Sequence, residues 1–496
     1  METGLSEKLQ WIQESLGFFI PEFILIIGIL VILLLGIIFR KPTALAGFHF
    51  FAVLIFGLSF LMIILNWSIY TTPVRLFDGM VRSDDFSAYL KLLFNFSGLL
   101  TAMMTWQRKK TQQHITEYYA LLFSIALGAN ILVMSVNFVM IFVSLELISI
   151  CSYILTGFSF DKTSAEGSLK YFLFGSVASA IMLYGLSILY GMTGSLDFST
   201  PAFADQLFGK NPSLLLTAGL MTLAGFLYKI AATPMHPWAP DIYEASPMPV
   251  VAFFSVVPKL AGLGILMKFL LALNLFGQST LDWQLIISVV AIATLTVGNF
   301  SALLQKNPKR MMAYSSIAQS GFLLIGVATF LPNGVHAMLF YASVYMLANF
   351  LIFLLLQSFE ENGIHTIAGF AGVGKVMALP SVLVLIALIT LTGLPPTSGF
   401  TSKLFIFSSL WEAYDQTGKS TLLWLLVFGL LNTVVALFYY LRIPYYAFLK
   451  TDNTLSDRNN PLLQNLLGLI LVVGILILFF LPGLLMGWIN KINFVL

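Results

Sequence analysis

Long apolar runs separated by short polar connections make up nearly the whole chain. Each run has about the 20 residues that an α-helix needs to cross the hydrocarbon core of a membrane. We count fourteen runs, at approximately 18–39, 46–69, 87–106, 116–135, 137–159, 168–192, 213–232, 248–275, 283–304, 313–331, 335–358, 378–411 (interrupted), 421–447 and 463–488. They lack the alternation of apolar and polar residues that is typical of a membrane β-barrel. The pattern predicts an all-α polytopic membrane protein with about 14 transmembrane helices, in a single membrane domain covering 1–496.

The composition agrees with a chain that faces lipid over most of its surface. The 496 residues are 58% hydrophobic and 9% charged, with a mean hydropathy of +0.92, whereas an ordinary globular domain is about 25% charged. The formal net charge is only +3, which excludes the basic surface of a nucleic-acid-binding protein. The single cysteine, Cys151, permits neither an intramolecular disulfide nor a cysteine-ligated iron–sulfur cluster. The short connections leave no room for a catalytic domain outside the membrane.

The lysines and arginines in the connections predict the orientation of the helices. One alternate set of connections contains Arg40, Lys41, Arg108, Lys109, Lys110, Lys162, Lys306, Lys309, Arg310, Lys375, Lys450 and Arg458. The other set, with the two termini, contains only Lys8, Arg75, Arg82, Lys210, Lys419 and Lys491. Because basic residues concentrate in cytoplasmic connections, we expect both termini on the non-cytoplasmic side of the membrane. Acidic residues (Glu2, Glu7 and Glu14) precede the first run, which we therefore interpret as a retained span and not a signal peptide.

Four charged residues lie deep within predicted spans or beside an interruption of one. They are Glu146 in the fifth span, Lys229 late in the seventh, Lys259 in the eighth and Lys403 in the twelfth. A charge at a helix centre costs roughly 2.5–3.5 kcal/mol on insertion scales. A structural ion pair between Glu146 and one lysine would leave two lysines unexplained. Since a nearby carboxylate favours the charged form of a buried lysine, a lysine whose carboxylate partner comes and goes can load and release a proton, and we favour proton transport.

Four other cations lie nearer the ends of predicted spans. They are Lys91, Lys170, Lys268 and Arg442. A long cationic side chain in such a position can extend to the lipid headgroups. We therefore interpret these residues as anchors at the membrane surface.

Two of the spans are interrupted by proline. The segment TPMHPWAPD (233–241) follows Lys229 and has three prolines in seven residues, and GLPPTSG (393–399) precedes Lys403. An α-helix does not continue through such segments. In transporters, broken spans often line ion-binding cavities, although two kinks that serve only packing are the alternative. His236 in the first interruption and His336 at the start of the eleventh span are candidate proton relays, although a single histidine is more often a structural group.

The sequences before the two interruptions resemble each other. LMTLAG (220–225) precedes the first, and LITLTG (388–393) precedes the second. Helices four to eight (116–275) and helices nine to thirteen (283–447) then form a plausible pair of inverted five-helix repeats, with the broken helix fourth in each. Helices one to three would occupy 1–115, and the fourteenth helix lies in 448–496.

No sequence motif indicates a cofactor bound by this chain. GFAGVGK (369–375) resembles a phosphate-binding loop, but Val376 stands where a Ser or Thr would bind magnesium, and no β-strand precedes the loop. The sequence has no dinucleotide fingerprint and no metal-ligand cluster. We therefore expect no cofactor and no metal in this chain, so that any redox centres belong to partner proteins.

Three segments resemble the antiporter-like subunits of respiratory complex I. They are the run from Lys229 through TPMHPWAPDIYEASPMPVVAFFSVVPKLAG (233–262), NPKRMMAYSSIAQSGF (307–322) and GLPPTSGFTSK (393–403). In that family a glutamate in helix five pairs with a lysine in helix seven, a lysine in helix eight is central, and a charged residue in broken helix twelve is the exit group. Carried over, these residues are Glu146, Lys229, Lys259 and Lys403. Lys170, at the start of helix six, matches a further lysine near the family's glutamate–lysine pair.

The resemblance also implies a function and partners. The lysine in helix twelve argues against the M-type subunit and the D-type subunits of sodium/proton antiporters, and the end of the chain soon after helix fourteen argues against the L-type, which leaves the N-type. Such a subunit translocates protons in the membrane arm of NADH:quinone oxidoreductase, beside other membrane-arm subunits and lipid, while NADH, FMN, iron–sulfur clusters and quinone bind in partner subunits. The alternatives are a subunit of a multisubunit cation/proton antiporter or hydrogenase-type complex, or a structural spacer that pumps nothing.

The implied proton route begins in the cytoplasm. A proton reaches Lys229 and Lys259 and moves along a hydrated axis to Lys403. It then leaves on the other side, either directly or through a neighbouring subunit. Separation of Glu146 from Lys229 would drive the proton onward.

Overall fold

A computed structural model describes residues 12–13, 15–39, 45–69, 73–107, 114–207, 209–274, 281–451 and 462–494. All fourteen predicted spans are helical, and we number them in chain order. They are Ile20–Ile38, Leu45–Ile69, Asp85–Trp106, Ile115–Met134, Phe138–Thr156, Lys162–Thr193, Pro212–Lys229, Met248–Asn274, Trp283–Leu303, Pro308–Ala328, Pro332–Glu361, the broken pair Ala378–Thr392 and Ser398–Thr417, Ser420–Tyr440 and Leu462–Phe480. Eleven of the described helices are long and apolar enough to cross a membrane. The predicted all-α polytopic fold is therefore confirmed.

Shorter elements connect the spans. Two strands, Val74–Leu76 and Val81–Ser83, pair antiparallel in the connection between the second and third spans. In the described part of the chain, the short helices are Pro201–Leu207, Trp238–Ala245, Val373–Val376, Arg442–Leu449 and Gly483–Ile489, and a 3₁₀ turn lies at Ala368–Phe370. The glycine-rich loop that resembles a phosphate site thus belongs to a short helical connection before the twelfth span.

Several residues used to predict orientation lie outside the described residues. They are Glu2, Glu7, Lys8, Glu14, Arg40, Lys41, Arg108, Lys109, Lys110 and Arg458. The placement of both termini on the non-cytoplasmic side stays a prediction.

Side-chain caps determine where several spans begin. The Asp161 carboxylate accepts from the Ser164 backbone N–H at 2.7 Å, and Asp84 accepts from Ser87 N–H at 2.7 Å. Asn307 accepts from Lys309 N–H at 2.8 Å. Each cap satisfies an N–H that has no partner within its own helix. The sixth span consequently starts at Lys162, earlier than the hydrophobic pattern predicted, because a polar first turn is stable when it is capped.

Both predicted interruptions are confirmed. The seventh span ends at Lys229, and helix Trp238–Ala245 starts after a non-helical segment; the two halves of the twelfth span are separated by residues 393–397. Each interruption contains a cis X–Pro peptide bond, at Thr233–Pro234 and at Pro395–Pro396. Gly393 closes the first half of the twelfth span at φ +88°, a conformation that costs glycine little and other residues more.

The chain divides into two compact units. The first contains Met1–Lys229, Val257–Asp282 and Asn493–Leu496, and the second contains Ile230–Val256 and Trp283–Ile492. In the first unit the first span packs on the fourth, the second on the third, the fourth on the fifth and the sixth on the seventh. In the second unit the tenth span packs on the ninth and eleventh, and the thirteenth on the ninth. The pair of inverted five-helix repeats stays a prediction.

Candidate proton-transfer site

The three lysines predicted to lie deep within spans are buried. Lys229 is 3% exposed, Lys259 is 2% exposed and Lys403 is 5% exposed. None of them reaches the surface as a snorkelling lysine does. A buried ammonium group is stable only beside polar groups that replace water, so their surroundings indicate what these lysines do.

Lys229 is the last residue of the seventh span and bonds to the fifth span. Its Nζ donates to the Ser149 hydroxyl oxygen at 2.6 Å. Ser149 itself donates to the Leu145 backbone carbonyl at 2.5 Å, so its proton is committed and its lone pairs accept from the ammonium. Ser149 was not among the predicted site residues. The only available signal was its position three residues after Glu146, which places both side chains on one helical face.

Glu146 is half-buried on the same face of the fifth span. It is close enough to Lys229 for the two charges to interact. Its Oε1 atom is buried and has no hydrogen-bond partner among the described residues. A buried carboxylate oxygen without a hydrogen bond is costly, so this oxygen is available to accept a hydrogen bond from a group that comes near it.

Tyr228 lies beside Lys229, whose Nζ is 5.9 Å from the Tyr228 ring centroid, and two further tyrosines pack next to Tyr228. A Cβ atom added to Gly175 of the sixth span would overlap the Tyr153 hydroxyl and lie 3.0 Å from the Tyr228 hydroxyl. Tyr228 donates to the Tyr171 backbone carbonyl at 3.1 Å, and the rings of Tyr153 and Tyr171 are 4.8 Å apart. Gly175 thus leaves room for two hydroxyl groups. The sequence pattern did not indicate these tyrosines, because a tyrosine in an apolar run is equally typical of packing.

Lys170 lies at a more exposed position on the sixth span. Its side chain is 42% exposed and its Nζ lies 2.9 Å from Glu166, one turn earlier on the same helix. Exposed pairs with this spacing contribute about 0.3–0.5 kcal/mol. The proposed relay role of Lys170 stays a prediction.

Lys259 lies near the middle of the eighth span, directly after Pro258. The helix continues through this proline from Met248 to Asn274. Pro258 brings no N–H to the helix, so the hydrogen-bond ladder is locally incomplete beside a buried cation. Residues 248–270 of this span are all buried, and Lys259 therefore lies in the protein interior and not against lipid.

Lys403 lies in the second turn after the interruption of the twelfth span. Its Nζ donates to the carbonyl of Thr392 at 2.7 Å, and Thr392 is the last residue of the preceding half-helix. The same Nζ lies 4.2 Å from the centroid of the Phe322 ring. Carbonyls at a helix C-terminus carry partial negative charge, and an aromatic face attracts cations. The break in the helix therefore creates a site for the ammonium.

A buried hydrogen-bonded network in the second unit leads towards the lysine of the twelfth span. Tyr345 hydrogen-bonds the Ser255 carbonyl at 3.1 Å and the Ser316 hydroxyl at 2.8 Å. One turn further along the tenth span, Gln319 donates to the Leu391 carbonyl at 3.2 Å. Leu391 immediately precedes the residue whose carbonyl holds the lysine. This row of hydroxyl and amide groups is not evident in the sequence, because its members come from four separate segments.

The two predicted relay histidines have different surroundings. His236 lies half-buried within the first interruption. His336 Nε2 forms a hydrogen bond with the Ile492 backbone carbonyl at 3.1 Å, which fits the structural alternative. A relay role for either histidine stays a prediction.

The anchor interpretation was wrong for two of the four cations near the span ends, Lys91 and Lys268. Lys91 is 5% exposed and Lys268 is 2% exposed. Lys91 pairs with Glu22 at 2.7 Å, Lys268 pairs with Asp84 at 2.8 Å, and Arg442 donates to two backbone carbonyls at 2.8 and 2.9 Å. A position near a helix end shows how far a side chain could reach, but not which acid on another helix it meets.

The described residues contain fourteen helical spans, of which two are broken, and buried lysines lie beside both breaks. These features are typical of an antiporter-like membrane subunit. The family model described as "NADH:quinone oxidoreductase/Mrp antiporter, TM" matches residues 135–435. The chain belongs to this family.

Individual relatives extend the match over nearly the full length. The NADH-quinone oxidoreductase subunit N of Chlorobium chlorochromatii is 36% identical over 452 residues, which cover 88% of this chain and 86% of that protein. A chain of respiratory complex I from Thermus thermophilus, solved with bound aureothin, is 28% identical with a TM-score of 0.79 and covers 95% of this chain and 100% of that chain. A chain of the membrane-bound sulfane sulfur reductase, an archaeal respiratory membrane complex, is 25% identical with a TM-score of 0.85 and covers 96% of both chains.

Proposed function

We propose that this chain is a proton-translocating membrane-arm subunit of an NADH:quinone oxidoreductase, which couples electron transfer in partner subunits to proton movement. The observation that carries the proposal is the burial of Lys229, Lys259 and Lys403 to 5% exposure or less within spanning helices. Apolar residues would pack in the same places without the cost of desolvating a charge. Three such lysines, in a chain of this family, support proton transfer as their purpose.

The proposed cycle begins at the glutamate–lysine pair of the first unit. A proton from the cytoplasm loads Lys229, where the ammonium is held by the Ser149 hydroxyl and by the charge of Glu146. Movement of the carboxylate away from Lys229 withdraws part of this stabilisation and favours release of the proton to Lys259. Lys403 serves the second unit, where it passes the proton on.

We further propose that NADH, FMN, iron–sulfur clusters and quinone bind in partner subunits. An iron–sulfur cluster needs about four cysteine or histidine ligands, and Cys151 is the single cysteine of the sequence. This chain contributes proton-binding groups and the membrane scaffold. We place it in a bacterial inner membrane, by analogy with its bacterial relatives, and the distribution of basic residues puts both termini on the non-cytoplasmic side.

Cation/proton exchange is the second candidate, because the family description also names Mrp antiporters. Sodium prefers oxygen ligands, whereas the deep charges here are three lysines and one acid. This set of residues fits protons better. Proton uptake that requires sodium would support the exchanger.

The test is NADH-driven proton uptake by inverted membrane vesicles from cells that carry Lys259→Ala, with the assembled complex quantified first. Lys375→Ala changes an exposed lysine in a connection and is the matched control. We expect electron transfer and proton uptake to fall together in Lys259→Ala and to be normal in the control. Normal uptake in Lys259→Ala would show that the buried lysine is structural and would favour a spacer.

A further inference from the structure

A second group of charges, all but one of them buried, lies in the first unit. Its members come from the first, third and eighth spans, and we call it the outer charge cluster: Glu22, Asp84, Asp85, Lys91 and Lys268. Lys91 Nζ lies 2.7 Å from Glu22 Oε1, with side-chain exposures of 6% and 0%. Lys268 Nζ lies 2.8 Å from Asp84 Oδ2, with exposures of 2% and 6%. Two ion pairs are therefore removed from bulk water within one unit.

The two ion pairs are neighbours at the end of the fourth span. Lys91 Nζ lies 3.5 Å from Met134 Sδ, and Lys268 Nζ donates to the Val133 carbonyl at 2.7 Å. Met134 is the last residue of that helix, and Val133 precedes it. The lysines therefore contact consecutive residues, so that a change of charge at one pair is felt electrostatically at the other.

A small cavity gives water access to the cluster. It has a volume of about 40 Å³, and its lining includes Ser83, Asp84, Asp85 and Lys91. One water needs roughly 10–15 Å³ of such space and two to four polar partners, so the cavity accommodates a few waters. Ser83 and Asp85 are only half-buried, and the lining thus extends from the surface to a buried acid and a buried lysine.

The buried polar groups next to the cluster are incompletely satisfied. Glu22 Oε2 has no hydrogen-bond partner among the described residues. One turn deeper in the third span, Asn95 donates to the Lys91 carbonyl at 2.8 Å and to Asn130 Oδ1 at 3.3 Å. In the described part of the chain, Asn95 Oδ1 and Asn130 Nδ2 remain without partners. A network that only held helices together would be expected to satisfy these groups, whereas a proton site needs places for water.

The cluster shares a helix with the central lysine. Lys268 follows Lys259 by nine residues on the eighth span, a rise of about 13.5 Å at 1.5 Å per residue. Between them the helix packs closely, since a Cβ added to Gly264 would lie 2.8 Å from Leu90 Cδ1 and 3.1 Å from Val133 Cγ1. The apolar stretch of helix between Lys259 and Lys268 limits the return of protons to Lys259, because a proton crosses it only when water enters.

We propose that the outer charge cluster is the site through which protons from Lys259 leave this chain, on the predicted non-cytoplasmic side. The inference rests on the proposed function and adds an exit within the first unit. One proton arrives at the Lys268–Asp84 pair and one passes to a water of the cavity, so the charge of the cluster is restored after each transfer. The Lys91–Glu22 pair responds to this change of charge and favours departure of the proton.

Two variants of the Lys268–Asp84 pair separate proton transfer from a structural role. Lys268→Arg keeps the positive charge and the ion pair, but a guanidinium does not release its proton. The double variant Lys268→Met with Asp84→Asn removes both charges without leaving one of them unpaired, and Asn still caps the third span. If the pair only holds helices together, both variants pump normally.

The measurement is NADH-driven proton uptake per electron in inverted vesicles, with assembly quantified. We expect uptake in both variants to fall to the level of Lys259→Ala, measured in parallel. Arg75→Gln is the control, because it removes an ion pair of the same unit whose arginine side chain is 47% exposed, and it should pump normally. If the complex with Lys268→Arg does not assemble, proton uptake per electron in the double variant tests the exit site.

The parallel variants distinguish failure of this inference from failure of the proposed function. Normal uptake in the Lys268 variants together with loss in Lys259→Ala would overturn the exit site and leave the function standing. Normal uptake in Lys259→Ala would overturn both. Loss of proton uptake in the Lys268 variants and in Lys259→Ala, with normal uptake in Arg75→Gln, would support the exit site and the proposed function.

Discussion

Ser149→Ala tests whether the hydrogen bond to Lys229 matters for proton transfer. The structure joins Lys229 Nζ to the Ser149 hydroxyl at 2.6 Å within a buried site. The substitution removes one oxygen and leaves the charge, the glutamate and the helix in place. Alanine is also the best helix former, so we expect the fifth span to persist.

The expected magnitude follows from the kind of bond that is lost. A hydrogen bond to a charged group contributes about 1.5–3 kcal/mol, and each 1.36 kcal/mol changes an equilibrium about tenfold. Loss of the lower value already changes the equilibrium constant for holding the Lys229 ammonium at this site by about tenfold. We therefore expect proton uptake to fall by about tenfold.

The assay is NADH-driven proton uptake in inverted vesicles, normalised to the assembled complex. Ser144→Ala is the matched control, because Ser144 is a buried serine of the same helix whose hydroxyl donates to the Met140 backbone carbonyl. Ser149 also donates to its own helix, and the bond from Lys229 distinguishes the two. Equal uptake in the two variants would refute the role assigned to this hydrogen bond.

Two further predictions use the same vesicles, and a third uses thermal denaturation of the complex. Glu146→Gln removes the charge that stabilises the protonated lysine, so the number of protons moved per electron should fall; an unchanged ratio counts against the cycle. Gly175→Ala places a Cβ on the Tyr153 hydroxyl. The resulting overpacking costs about 1–3 kcal/mol and should lower proton uptake. Gly191→Ala on the same helix is the control, because its Cβ meets no atom within 4 Å, and its proton uptake should be normal. Gly393→Ala imposes a side chain at φ +88°, so thermal denaturation of the complex should show a loss of about 1 kcal/mol or more; unchanged stability would contradict the strained turn.

The positions of the helices could be predicted from the sequence because membrane insertion depends on properties of single residues. A run of about 20 apolar residues is favourable in lipid wherever it occurs, and proline removes a helical N–H whatever surrounds it. The fourteen spans and both interruptions followed from these local rules. The burial of Lys229, Lys259 and Lys403 followed as well, because each lies within an apolar run or beside an interruption of one.

What the lysines contact was decided only by the tertiary structure. The rotation of one helix about its axis and its position along a neighbour determine which side chains meet, and neither quantity is written in a single apolar run. Ser149 therefore emerged as a partner of Lys229 only in the fold. For the same reason Lys91 and Lys268, which the pattern placed at the membrane surface, proved to be buried in ion pairs. The sequence by itself determined which segments cross the membrane and which charges they carry, whereas helix packing decided where each charge finds its counterion.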